Sequence, residues 1–214
     1  MTVNKNDVDY LLYAVTDFPA NPRKDPVESV RSALQGGATV LQLREKNLDT
    51  AGIVALAEKL MPLCREHHAC FIINDDVEAA RLCGADGVHI GQHDQELKKA
   101  RAILGPDVII GVSVQTMEQA RQACADSADY LGVGAVFPTT TKADADAVSY
   151  ETLKAICEVS TVPVVAIGGI NLENVSRLAG SGIDGVAVVS AIFGAEDICA
   201  AASDLRGALS RLDL

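Results

Sequence analysis

Gly84-Ala85-Asp86-Gly87-Val88 and Gly182-Ile183-Asp184-Gly185-Val186 spell one turn twice: glycine ends a helical segment and an aspartate leads into an apolar run. Their likeness predicts one β/α unit used more than once. Working outward from them, short apolar runs recur at 11–15, 39–43, 71–73, 87–90, 108–112, 130–136, 163–167 and 185–189, eight in all. Segments of helical period rich in Ala, Leu, Glu, Lys and Arg lie between them, notably 50–68, 95–104, 116–126 and 171–180. Near-continuous apolar strands alternating with helices indicate a parallel sheet, buried on both faces and joined by right-handed crossovers. The expected fold is α/β, a single (β/α)8 TIM barrel spanning residues 1–214, since no linker or low-complexity segment divides the chain. A doubly wound open sheet would want a glycine-rich loop after its first strand, where Val15 is instead followed by Thr16-Asp17-Phe18-Pro19.

Composition narrows the ligands. A net charge of −11 and a pI near 4.7 repel a polyanion, and no basic stripe interleaved with aromatics offers a nucleic-acid surface. Any anionic ligand must be held by local positive charge. The six cysteines, at 64, 70, 83, 124, 157 and 199, make no C-x-x-C pair and no zinc spacing with histidine, so they read as small buried hydrophobes. The opening Met1-Thr2-Val3-Asn4-Lys5 does not resemble a signal peptide, and no apolar run approaches the roughly 18 residues of a membrane span. A cytoplasmic protein with reduced thiols is expected.

In a barrel, polar residues just past each strand's C-terminal end converge on one mouth. Strand two runs into Gln42-Leu43-Arg44-Glu45-Lys46, where alternation points Gln42, Arg44 and Lys46 the same way, an arrangement suited to a phosphate group unless these are simply solvated surface cations. Strand three ends Asn74-Asp75-Asp76, and strand four leads into Gly91-Gln92-His93-Asp94. Asp75 and Asp94 are oxygen ligands of the type Mg²⁺ takes, although Asn-Asp-Asp could equally cap the next helix. His89 and His93 stand four apart, but on a strand and loop rather than a helix, which argues against zinc. Ser113 ends strand five, where it can bond a phosphate or merely organise a turn. The run Pro138-Thr139-Thr140-Thr141-Lys142 after strand six offers hydroxyls and an ammonium, a binding loop rather than a packing element. Gly168-Gly169 after strand seven and Val189-Ser190 after strand eight match the place where many barrels bind phosphate through backbone N–H groups and a short helix N-terminus. Two anion sites of different character imply two phosphorylated substrates or one bisphosphate.

Taken together, Gln42-Leu43-Arg44-Glu45-Lys46, Asn74-Asp75, Gly91-Gln92-His93-Asp94, Gly111-Val112-Ser113, Pro138-Thr139-Thr140-Thr141-Lys142, Gly168-Gly169-Ile170 and Val189-Ser190-Ala191-Ile192 resemble, in order, the motif set of the thiamine phosphate synthase family. The resemblance implies a transferase that joins the diphosphate ester of 4-amino-5-hydroxymethyl-2-methylpyrimidine to a thiazole phosphate. Gln42, Arg44, Lys46, Asn74, Ser113 and Lys142 would hold the pyrimidine diphosphate, with Asp75 and Asp94 on Mg²⁺. Thr139, Thr141, Gly169, Val189 and Ser190 would bind the thiazole phosphate, and Leu43, Glu45 and Thr140 fall within the same substrate-binding segments. Catalysis would rest on Arg44, Lys46, Ser113 and Lys142. The rival readings are a thiazole tautomerase paralogue, a sugar-phosphate isomerase or aldolase, and a non-catalytic thiamine phosphate carrier. The full diphosphate and metal set argues against the first, and the lack of a Schiff-base lysine within a strand against an aldolase. The expected partners are two small-molecule substrates, with a homo-oligomer allowed and neither nucleic acid nor membrane.

Overall fold

The computed structural model describes residues 3–18, 24–91, 94–139 and 147–214, the side chains of residues 94–96 excepted. Among them, eight parallel strands close into a ring, β1 (Leu12–Val15), β2 (Val40–Leu43), β3 (Cys70–Asn74), β4 (Gly87–Ile90), β5 (Ile109–Val114), β6 (Tyr130–Val133), β7 (Val164–Ile167) and β8 (Gly185–Val188). The ring closes where Leu12, Tyr13 and Ala14 pair with Val186, Ala187 and Val188. Outside it lie α1 (Pro26–Gln35), α2 (Thr50–Glu66), α3 (Val77–Cys83), α4 (Asp94–Leu104), α5 (Met117–Ala125) and α6 (Tyr150–Val159), with a short α7 (Ser190–Phe193) and a longer α8 (Ile198–Leu209) following β8. Several acids lie at helix starts, where they stabilise the positive end: the Asp25, Asp49, Asp76 and Asp197 carboxylates accept backbone N–H bonds of α1, α2, α3 and α8.

Each strand's alternation sorts its side chains into two cores. Leu12, Leu41, Phe71, Ile73, Val88, Ile110 and Leu131 point outward and pack beneath the helices. Tyr13, Val15, Val40, Ile72, Ile109, Tyr130, Val165 and Ala187 point inward and fill the barrel. The inward positions are uneven in size: a Cβ at Gly111 would lie 2.0 Å from the Tyr130 ring. A large ring on β6 therefore depends on an empty position on β5.

Two expectations change. β6 stops at Val133, short of the apolar run ending at Val136, because the chain turns onto β7: Val136 and Phe137 donate to the carbonyls of Ile167 and Gly168. No α-helix forms over 171–180; a 3₁₀ turn, Val175–Leu178, stands there instead. The Asn171 carboxamide oxygen accepts from the Glu173 and Asn174 N–H groups, and Asn174 bonds back to the Asn171 N–H and the Gly169 carbonyl. These local bonds occupy backbone groups that an α-helix would use.

At the opposite end from the strands' C-termini, one device recurs before every even strand. Thr39, Asp86, Asp129 and Asp184 each donate a backbone N–H to Leu12, Phe71, Ile110 and Val164 of the preceding odd strand. Each side-chain oxygen also accepts the N–H of that same residue, at 3.2, 2.9, 2.8 and 2.7 Å respectively. The aspartate in the repeated turn is thus a clamp joining strands in pairs. Asp86→Ala, which leaves the Phe71 N–H without its carboxylate, is expected to lower unfolding free energy by about 2 kcal/mol. Urea denaturation measures it, with substrate KM values unchanged because the clamp lies at the far rim.

Candidate active site

The inward alternation that fills the barrel opens at the C-terminal rim into a cavity of about 290 Å³, at the low end of small-molecule pockets. Its floor and walls come from every strand: Tyr13 and Val15, Gln42 and Arg44, Asn74, His89, Ser113 and Gln115, Tyr130 and Gly132, Val165 and Ile167, Ala187 and Val189.

On the β2 side, Gln42 is buried and donates from Nε2 to the Tyr13 hydroxyl at 2.7 Å. Arg44 is half-buried and lines the cavity. Its backbone is fixed from β1, since the Arg44 N–H donates to the Thr16 hydroxyl oxygen at 2.9 Å. Glu45 turns the same way, accepting from the Thr16 hydroxyl and the Phe18 N–H at 3.1 and 3.3 Å. Burial raises the Glu45 carboxyl above its ordinary range. Glu45 thus braces the β1 loop, Leu43 is buried in the outer core, and Lys46 lies exposed in the turn beyond, outside the cavity lining. Alternation carries Gln42 and Arg44 into the mouth but ends with the strand, before Lys46.

Asn74 lines the cavity, and its amide donates to the Asp75 carboxylate at 2.8 Å. The two aspartates after β3 divide their roles. Asp76 caps α3, whereas exposed Asp75 has φ +61°, the left-handed region in which a non-glycine residue is uncommon and often functional. An exposed carboxylate of this kind suits a hard cation such as Mg²⁺. Asp94 opens α4, but its side chain is outside the described residues, as are Thr140, Thr141 and Lys142 of the β6 loop. No group of three His, Cys, Asp or Glu side chains among the described residues could enclose a metal ion by itself.

Ser113 and Thr139 line the cavity from β5 and the β6 loop. Elsewhere on the rim, the chain after β7 is held in the left-handed region at Gly168 and Gly169, φ +103° and +64°. A Cβ at Gly169 would lie 2.4 Å from the Pro138 carbonyl oxygen, so this backbone passes directly beneath the β6 loop. Val189 and Ser190 lead into α7 at its edge and line the cavity. The Arg177 guanidinium sits 5.0 Å above the Phe137 ring and ties the segment after β7 to the β6 loop.

His89, Tyr13, Tyr130 and Thr16 belong to the site without having been singled out for it. Period two on Gly87-Val88-His89-Ile90 is the one signal for the histidine: Val88 and Ile90 face the helices, so His89 faces the interior. There it bonds Tyr130 and Ser113 through its two ring nitrogens, a use quite unlike metal ligation.

A family model described as thiamine monophosphate synthase matches residues 12–192. The thiamine-phosphate synthase of Clostridium tetani is 45% identical over 204 residues, which cover 95% of this chain and 97% of that protein. A chloroplastic thiamine biosynthetic bifunctional enzyme of Arabidopsis thaliana is 44% identical, and there the matching region spans 95% of this chain but only 40% of the relative. The solved thiamine phosphate pyrophosphorylase of Pyrococcus furiosus superposes with a TM-score of 0.87 at 43% identity, covering 95% of this chain and 96% of that one.

Proposed function

Because the chain belongs to the thiamine monophosphate synthase family and is a transferase of thiamine biosynthesis, we propose that its barrel mouth holds a pyrimidine diphosphate and a thiazole phosphate side by side and joins them. The carrying observation is that a guanidinium, Arg44, and a left-handed glycine backbone, Gly168-Gly169, line one cavity, which supports two unlike cradles for anions. On this reading Gln42, Arg44, Asn74 and Ser113 hold the pyrimidine diphosphate, with Lys46 and Lys142 completing the set. Thr139, Thr141, Gly169, Val189 and Ser190 receive the thiazole phosphate.

The described lining supplies neither a cysteine nucleophile nor a lysine for a Schiff base, and the proposed reaction needs neither. The pyrimidine's 4-amino group donates electron density into its ring, the methylene C–O bond breaks, and the electron pair leaves on diphosphate. The thiazole nitrogen lone pair then forms the C–N bond to the methylene carbon. Arg44 neutralises charge developing on the leaving oxygen, a role suited to a guanidinium in a partly enclosed site. Val15, Val165, Ile167 and Ala187 give the cavity apolar walls that keep water from the pyrimidinylmethyl cation. The two substrate cradles align nitrogen and carbon before bond breaking. Asp75 and Asp94 would hold Mg²⁺, which when bound screens the diphosphate oxygens.

Purified protein given both substrates and Mg²⁺ is expected to form thiamine phosphate and diphosphate, read by oxidation to fluorescent thiochrome. No product above background overturns the reading. Among the described residues no helix is long and apolar enough to cross a membrane, and free thiols at all six cysteines suit a reducing cytoplasm, where we place the enzyme.

A further inference from the structure

The first residues past β1 interlock with the first past β2. Thr16 is fully buried, and its N–H donates to the Gln42 carbonyl at 2.9 Å. One step further a parallel ladder would give the Arg44 N–H to the Thr16 carbonyl; it goes instead to the Thr16 hydroxyl oxygen, at 2.9 Å. That hydroxyl has a single proton of its own to give. Two acceptors face it, Glu45 Oε1 at 3.1 Å and the Arg44 carbonyl at 3.3 Å, and the carboxylate is both the nearer and the stronger. Glu45 therefore turns the Thr16 hydroxyl so that a lone pair meets the Arg44 N–H.

The same carboxylate oxygen accepts the Phe18 N–H at 3.3 Å. The Phe18 ring meets the Phe193 ring edge-on, with centroids 5.9 Å apart, and Phe193 is the buried last residue of α7, the helix that Ser190 begins. The Lys24 ammonium, ahead of α1, makes a second tie, to the Ala195 and Glu196 carbonyls just past α7. Thr16, Phe18 and Glu45 lie outside the cavity lining, to which Arg44 and Ser190 belong. Any effect of the three on the reaction passes through such neighbours.

We infer that Glu45 is a positioning residue with two arms: through the Thr16 hydroxyl it sets where Arg44 leaves β2, and through Phe18 it steadies α7 beside the thiazole phosphate. This rests on the substrate placement proposed above. One carboxylate then serves both substrates while touching neither.

The first test needs no substrate. In ¹⁵N-labelled protein, solvent exchange of the Arg44 amide proton is expected to quicken about tenfold in Glu45→Ala, which removes the acceptor of the Thr16 proton. It should stay near the wild-type rate in Glu45→Gln, whose side-chain oxygen still accepts. An unchanged rate in Glu45→Ala, or an equal rise in Glu45→Gln, overturns the inference. The second test separates the arms by steady-state kinetics. Thr16→Val loses only the hydroxyl and is expected to lower kcat about tenfold with the thiazole phosphate KM unchanged, whereas Phe18→Ala is expected to raise that KM about tenfold with kcat little altered. Glu45→Ala should show both changes, and Glu45→Gln should recover most of each. Thr16→Val should cost nothing further in Arg44→Ala. Equal Thr16→Val losses in both backgrounds, or a Phe18→Ala effect spread evenly over kcat and both KM values, would mean a general structural role and overturn the inference. If the wild-type protein made no thiamine phosphate, the functional reading would fail while amide exchange still decided whether Glu45 holds the Arg44 backbone.

Discussion

Arg44→Ala is expected to lower kcat/KM for the pyrimidine diphosphate by about a hundredfold or more, the scale for removing one fixed donor to developing charge. Among the described lining residues Arg44 is the one cation, and its backbone is locked by Thr16. Its side chain therefore starts from a set place on the rim, and a lysine, lacking the planar fork, would recover little of the effect. The loss should fall mainly on kcat, because charge on the leaving diphosphate grows as the C–O bond breaks. Steady-state kinetics at saturating thiazole phosphate measure it. An unchanged kcat with a raised KM would assign Arg44 to ground-state binding alone and remove it from the bond-breaking step.

Gly169→Ala should act on the other substrate. The residue has φ +64°, and its added Cβ would meet the Pro138 carbonyl oxygen at 2.4 Å. That oxygen is backbone, so the overlap is not relieved by a side-chain rotation. Left-handed strain of roughly 1–2 kcal/mol, together with the overlap, should shift the turn proposed to receive the thiazole phosphate. The expected result is a KM for that substrate raised by about tenfold or more, with the pyrimidine diphosphate KM little altered. Equal shifts in both KM values would show a disturbance spreading through the whole mouth and would defeat the assignment of separate cradles.

Much of the fold was legible because the barrel is written in period: all eight apolar runs became strands. The failure over 171–180 has a local cause. Leu172, Val175 and Leu178 keep helical spacing, but Asn171 and Asn174 bond the backbone between them and leave only a 3₁₀ turn. In the site, alternation placed Gln42 and Arg44 together at the mouth, yet it overreached to Lys46, where the strand had already ended. Glu45 and Leu43 share the same motif without facing the cavity. The bonds of His89 were beyond reading in any window of sequence, since Tyr130 stands 41 positions away and Ser113 24. A period reveals which way a side chain points; the partner it finds there is a property of ring closure.

The clamps at Thr39, Asp86, Asp129 and Asp184 join β1 to β2, β3 to β4, β5 to β6 and β7 to β8. The barrel is therefore a hoop of four riveted doublets, with the rivets on one rim and the substrate-facing residues on the other. A slip of one residue in any strand would exchange its two faces, and the rivets resist that slip without involving the mouth. Selection can then revise the chemistry of the open rim piece by piece while the distant rim keeps all eight strands in step.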